Sequence, residues 1–321
     1  MKTVSELTDF YYKSLHPTLV ELEEDRVVLK KRVIFIESAL ALIALILFYF
    51  IVQTAQFSLD SLAFVAFGYF AIAGIVYKML IKDYAKEFKF RVIAPLIKEI
   101  DINLNYTPSM HINKMHYTRS GIFTSHPDKV SGNDLVKGKI ETIPIEFSDF
   151  HAQIRHKDSK GRTSWSTQFK GLFLVSEFPK HFSGTTLILP DTAQSTFGDF
   201  IGSFLQEYNF SREDLIKLDN VAFEKEFVVY GTDQIEARYI LSPTLMENIL
   251  YFKKRSQHPL SLSFKGGKIY MAIEYNKDLF EPSVFHSLLK YKIAMEYVET
   301  LHLAIGIVKE LKLNQKLWSK L

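Results

Sequence analysis

Two apolar runs near the N-terminus constrain this chain more than any other feature. Val33 to Gln53 reads VIFIESALALIALILFYFIVQ and carries one charge, Glu37, near its first end. Leu62 to Ile81 reads LAFVAFGYFAIAGIVYKMLI and carries one, Lys78, near its last. About 20 residues at a rise of ~1.5 Å cover the ~30 Å hydrocarbon layer of a bilayer. A buried core helix would keep a polar stripe, whereas these runs are apolar all round. They predict a transmembrane helical hairpin over 33–81, with spans at 33–53 and 62–81. Lys78 is close enough to the end of its run to reach the headgroups. Glu37 has two readings: an interfacial carboxylate one turn inside the membrane edge, or an intramembrane functional acid. Neither run contains GxxxG, so nothing specific supports tight association of the spans.

The flanking charges set an orientation. The connector Thr54–Ser61, TAQFSLDS, has no Lys or Arg. Arg26, Lys30, Lys31 and Arg32 precede the first run, and Lys82, Lys86, Lys89 and Arg91 follow the second. The positive-inside rule therefore predicts a multi-pass protein with both termini in the cytoplasm and the connector outside. A cleaved signal peptide is not expected, because Glu21, Glu23, Glu24 and Asp25 come before the first apolar run.

At 321 residues the chain has room for about two domains. Residues 1–32 read as an N-terminal cytoplasmic amphipathic helical segment, with Leu15, Leu19 and Leu22 at helical spacing and Pro17 breaking the run. Residues 82–108 read as a membrane-proximal helix with a Phe88, Val92, Leu96, Ile100 stripe, kinked at Pro95 and ended by NLNYTP at 103–108. Residues 109–321 read as a cytoplasmic α+β domain, antiparallel and β-rich. Within it, Ile143, Ile145 and Phe147 alternate with polar or small residues. The loop KDSKGR at 157–162 leads into a long strand over 163–178, and Thr185–Leu189 is a further short strand. Phe223, Phe227 and Val229 alternate with Glu224 and Glu226, and a turn at 231–234 leads to Ala237–Leu241. Ser242-Pro243 opens a helix, with Ser as N-cap and Pro in the first turn. Gly266-Gly267 between Ser261–Phe264 and Lys268–Tyr275 marks a two-residue hairpin. Ile293, Tyr297, Leu301, Ala304, Val308 and Leu311 predict a long closing helix, roughly 284–313.

Sequence motifs for chemistry are absent. Lys plus Arg is 39 against 36 Asp plus Glu, a net +3, which is too near neutral for a nucleic-acid partner. With no cysteine there is no disulfide, thiolate zinc site, iron–sulfur cluster or thiol nucleophile. Gly132–Ile140, GNDLVKGKI, has the wrong spacing for a phosphate loop and ends in Ile where Ser or Thr would hold magnesium. His111 and His116, like His151 and His156, are five apart; on a strand that spacing puts them on opposite faces, so neither pair chelates. Asp134 and Asp199 sit beside glycines and read as turn aspartates, with a catalytic role as the alternative. No catalytic, cofactor or metal residues are expected. Two basic clusters remain. Lys82, Lys86, Lys89 and Arg91 either contact headgroups or only enforce topology. Lys157, Lys160, Arg162 and Trp165 form either an exposed interaction tip or a merely solvated hairpin. The 27 phenylalanines read first as aromatic core.

Three stretches carry a family resemblance: YAKEFKFRVIAPLIKEIDINLNYTP at 84–108, LDNVAFEKEFVVYGTDQIEARYILSPTLMENIL at 218–250, and LSLSFKGGKIYMAIEY at 260–275. Together they resemble a bacterial two-span membrane-protein family known as a domain of unknown function (number three-one-three-seven). The resemblance implies the bacterial inner membrane, no established activity and no site residues. It also implies a partner of the kind of a LemA-like membrane protein. The function expected is a membrane-anchored cytoplasmic binding or scaffold module for a protein or for anionic lipid headgroups. The alternatives are an accessory subunit of a transport or envelope-assembly complex, or a membrane-associated enzyme of unrecognised chemistry.

Overall fold

A computed structural model describes residues 6, 9–54, 59–140, 142–177, 183–191, 215–275, 278–289 and 305–306. It divides into two compact parts: one formed by 5–96 with 280–296, the other by 97–279 with the two chain ends.

The first part is built on two long helices, α1 (His16–Thr54) and α2 (Leu59–Phe88). Both are long and apolar enough to cross a membrane, and their most apolar stretches bury none of their residues inside the protein. Large side chains such as Leu45, Phe64, Phe67 and Phe70 face outward, as a lipid-facing surface would. Pro17 does not break the chain's helical course. A π-turn over Tyr11–Leu15 runs directly into α1, so the widened turn lies just before Pro17 and the helix continues through the proline. A second π-turn, Lys89–Ile93, joins α2 to the short helix α3 (Ala94–Ile100), which contains Pro95. The wider turn, closed by the Ala94 amide on the Lys89 carbonyl, shifts the phase of the buried face. Tyr84 and Phe88 are buried before it, and Lys89, Val92, Ile93 and Leu96 after it.

The second part is an eight-stranded antiparallel sheet, so the class is α+β. Its strands are β1 (Asn105–Thr107), β2 (Lys129–Ile140), β3 (Ile143–Lys157), β4 (Thr163–Glu177), β5 (Thr185–Pro190), β6 (Phe227–Gly231), β7 (Leu260–Lys265) and β8 (Lys268–Glu274). Their order is β1-β2-β3-β4-β8-β7-β5-β6. In β4 and β8 the runs Gly171–Ser176 and Ile269–Ile273 are buried at every position, so both faces of the central strands are covered. On one face the helix α4 (Lys114–Ser120) sets Tyr117 among Phe150, Phe123, Phe169 and Phe173, with ring centroids 4.6–6.1 Å away. Phe150, Phe169 and Phe173 are therefore core, with Phe123 packed against them, whereas phenylalanines of the two long helices such as Phe64 face outward.

Local chemistry explains where the sequence pattern misled. Phe223 lies on a one-turn helix, α5 (Val221–Glu224), because Asn220 caps it, and the strand begins only at Phe227. Asp233 caps the amides of Ile235 and Glu236, which turns the apolar stretch after residue 234 into a helix, α6 (Gln234–Ile240). Ser242 caps α7 (Pro243–Ser256), as its sequence predicts. Gly266 and Gly267 both adopt positive φ, as the tight turn between β7 and β8 needs. Of the expected closing helix, Ile305 and Gly306 are helical, and most of the rest lies outside the described residues. Val284–Leu289 are irregular. In an α-helix the Leu288 amide would donate to the Val284 carbonyl. Instead Glu23 accepts from Leu288 and Arg26 donates to Val284, so both groups of that helical bond are taken.

Candidate functional site

The β3–β4 ribbon is the most exposed basic feature of the sheet. Lys157 pairs with Thr163, His156 with Ser164 and Arg155 with Trp165. Every residue from Arg155 to Thr167 is exposed. The cause is compositional: alternation of apolar and polar residues stops at Ile154, so neither face of the ribbon has anything to bury. The tip is rigid by its own bonds. Asp158 accepts from the amides of Lys160 (2.9 Å) and Arg162 (2.7 Å), its own amide donates to the Arg162 carbonyl (3.0 Å), and Gly161 takes φ +75°. At the foot, the Arg155 amide donates to Asp128 (2.8 Å). Residues 155–165 hold Arg155, Lys157, Lys160 and Arg162 against Asp158, a net 4 − 1 = +3. Trp165 stands among them, 47% exposed. The four tip residues singled out from sequence therefore share one projecting ribbon, and Arg155 joins them. Its signal was the cross-strand register opposite Trp165, which depends on the length of the loop.

The second basic cluster divides. Lys82 and Lys86 are exposed. Lys89 does not share their face: it is 6% exposed, and its Nζ lies 2.5 Å from Glu281 Oε1. Arg91 pairs with Glu21. Of the four cations read as headgroup contacts or topology signals, Lys89 is thus turned into the protein rather than toward solvent. Glu281 supplies the counter-charge that a buried ammonium needs.

The remaining candidates are structural. Asp134 lies in a bulge of β2, not in a turn, at φ +61° and fully buried, and accepts a hydrogen bond from the Tyr106 hydroxyl. Asp199 lies outside the described residues. Gly132–Ile140 is part of β2, with no helix opening behind it. His111 is in a loop and His116 on α4, so strand geometry does not apply to that pair. The ring nitrogen Nδ1 of His111 donates to the Ile112 carbonyl at 2.7 Å. His151 and His156 on β3 bond the hydroxyls of Thr167 (2.9 Å) and Ser166 (2.6 Å). Burial holds the His116 and His151 imidazoles below their ordinary pKa and pushes the Tyr117 phenol and Glu274 carboxyl up. Among the described residues no three His, Asp or Glu side chains gather as a metal-binding group.

Fold and surface define an α+β protein with two bilayer-length apolar helices and a sheet that projects a basic, aromatic ribbon. Residues 167–313 match the family model described as Protein of unknown function (DUF3137), and that stretch is a domain of this family. Among curated proteins none matches the sequence. The crystal structure of the mycobacterial trehalose monomycolate transport factor A, TtfA, is similar at 9% identity, covering 66% of this chain and 92% of that one with a TM-score of 0.32.

Proposed function

We propose that the protein is a membrane-anchored binding module of the bacterial inner membrane. In this reading the two apolar helices span the bilayer, both termini are cytoplasmic, and the β3–β4 ribbon engages anionic lipid headgroups. The observation that carries it is the ribbon tip: four cations, one acid and an exposed indole on a strand pair with no apolar face of its own. A basic side chain near an anionic surface contributes about 1 kcal/mol, and Trp favours the zone between headgroups and acyl chains. Lys82 and Lys86, exposed just beyond the second apolar run, add to the same attraction. A protein partner of the LemA-like kind is the competing occupant of the tip.

The test uses the full chain in nanodiscs of phosphatidylcholine. These are mixed with vesicles of phosphatidylcholine alone or with added phosphatidylglycerol. Binding is expected only to the anionic vesicles, falling steeply with salt. Combined Lys157→Gln, Lys160→Gln and Arg162→Gln substitution should weaken it by about 100-fold, since three charges at about 1 kcal/mol each are lost. Equal binding by wild type and variant, or no binding by either, would leave the tip to a protein partner and overturn the lipid reading.

A further inference from the structure

We infer that residues 280–289, FEPSVFHSLL, form a strap laid against the membrane, with Phe285 at its apex seated between headgroups and acyl chains. The inference rests on the bilayer reading of α1 and α2. Three polar ties hold the strap, at Glu281 and Leu288 on its two feet and at Val284 just before the apex. Glu281 meets Lys89 at 2.5 Å. Arg26 grips Glu23 through two N–H donors at 2.8 Å each and donates to the Val284 carbonyl at 2.6 Å. Glu23 in turn accepts from the Leu288 amide at 3.0 Å. Arg26 is only 6% exposed, so this is a closed network rather than a loose surface pair.

The apex lies elsewhere along the helices. Phe285 stacks on Tyr77 with ring centroids 6.3 Å apart and planes 6° from parallel. Tyr77 precedes Lys89 by 12 residues, which is about 18 Å of helix. It lies four residues, or about 6 Å, inside the end of the apolar run at Ile81. The strap thus climbs from charged feet, level with Glu23 and Lys89, to an aromatic apex at the edge of the apolar layer. Phe280, Pro282, Val284 and Leu288 face inward, while Phe285 (48%), Leu289 (36%) and His286, whose ring bonds the Ser283 hydroxyl, face out. Beside that edge the outward side chains of the helices are also large and apolar, Phe35 at 74% and Met79 at 71% exposed. An exposed Phe alone says little. Here the polarity gradient along the strap runs in the same direction as the gradient from water to lipid. Interfacial segments bury their apolar side about 5–10 Å into the boundary, which is the depth the Tyr77 stacking assigns to Phe285.

The full chain, with Trp165→Phe and Trp318→Phe to clear its native indoles, is reconstituted in vesicles whose phosphatidylcholine is brominated either near the glycerol or near the acyl terminus. A single Trp is then placed by Phe285→Trp, by Leu289→Trp as a second site on the strap, or by Phe70→Trp as the span control. The strap variants should lose emission most to the shallow bromines and the span control most to the deep ones. Deep quenching of the control without quenching at either strap position overturns the strap and leaves the spans standing. In that case water-like emission means a solvated apex, and blue-shifted emission means a protein cover. An unquenched control overturns the bilayer reading itself.

Discussion

Lys82 and Lys89 are the same residue type seven positions apart, and they meet opposite surroundings. Lys82 stays in solvent, while Lys89 is buried against Glu281. Asp134 makes the same point for an acid: a phenol satisfies its carboxylate inside the sheet, and its positive φ comes from the bulge it occupies. His116 allows a pH test at this scale. Burial is the main cause of its lowered pKa, with Lys268, Arg119 and Lys137 acting in the same direction and Glu146 against it. The folded state then takes up a proton less readily than the unfolded one. Stability is therefore unaffected well above the unfolded value of about 6.5 and falls as pH drops below it, until the folded imidazole also protonates. Glu274, raised by burial, works the other way, stabilising at low pH and losing that contribution as pH rises past its folded value. Amide exchange in α4, corrected for intrinsic rates, should show weaker protection at about pH 5.5 than at about pH 7.5. His116→Gln should shrink that difference. An unchanged difference would assign it to His151 or to other groups.

The elements are decided by a few bonds at their ends. One carboxylate, Glu23, and one guanidinium, Arg26, take the backbone groups that would otherwise close a helical turn at 284–288. One asparagine cap makes a helical turn of a stretch that alternates like a strand. Glycine matters in two contrasting places. At Gly171 in β4 an added Cβ would lie 2.0 Å from the Ile273 carbonyl oxygen of β8, a backbone atom that cannot step aside. At Gly161, on the ribbon tip, it would meet nothing within 4 Å, and only the positive φ resists it. Gly161→Ala should therefore cost about 1–2 kcal/mol locally. Gly171→Ala should cost more than the roughly 1–3 kcal/mol of ordinary overpacking. Thermal unfolding of the two full-length variants checks this, with the larger drop in Tm expected for Gly171→Ala. Similar drops would mean that β4 and β8 can separate locally at little cost.

For the whole molecule, the absence of cysteine makes topology directly measurable. A single Ser58→Cys in the connector and a single Ser159→Cys at the ribbon tip report on the two sides of the bilayer. With both termini cytoplasmic, a membrane-impermeant maleimide should label the connector in intact cells and the tip only after permeabilisation. The reverse pattern would invert the orientation and remove the tip from the cytoplasmic leaflet.

Features that depend on neighbours along the chain were legible from the residues alone. Two uninterrupted apolar runs require long helices, the polar and charged KDSKGR and TSWST stretch requires a hairpin that cannot bury itself, Ser242-Pro243 starts a helix, and Gly266-Gly267 closes a turn. Each rests on backbone geometry or on composition within a few residues. Features that depend on partners far away in sequence emerged only in the folded chain. Glu281 stands 192 positions from the Lys89 it neutralises, and Val284 stands 258 from the Arg26 that takes its carbonyl. Local pattern carries no term for a charge that arrives from the other end of the chain. For that reason Lys89 read as a headgroup or topology cation and 284–289 as helix, although Glu281 sets the first and Glu23 with Arg26 the second.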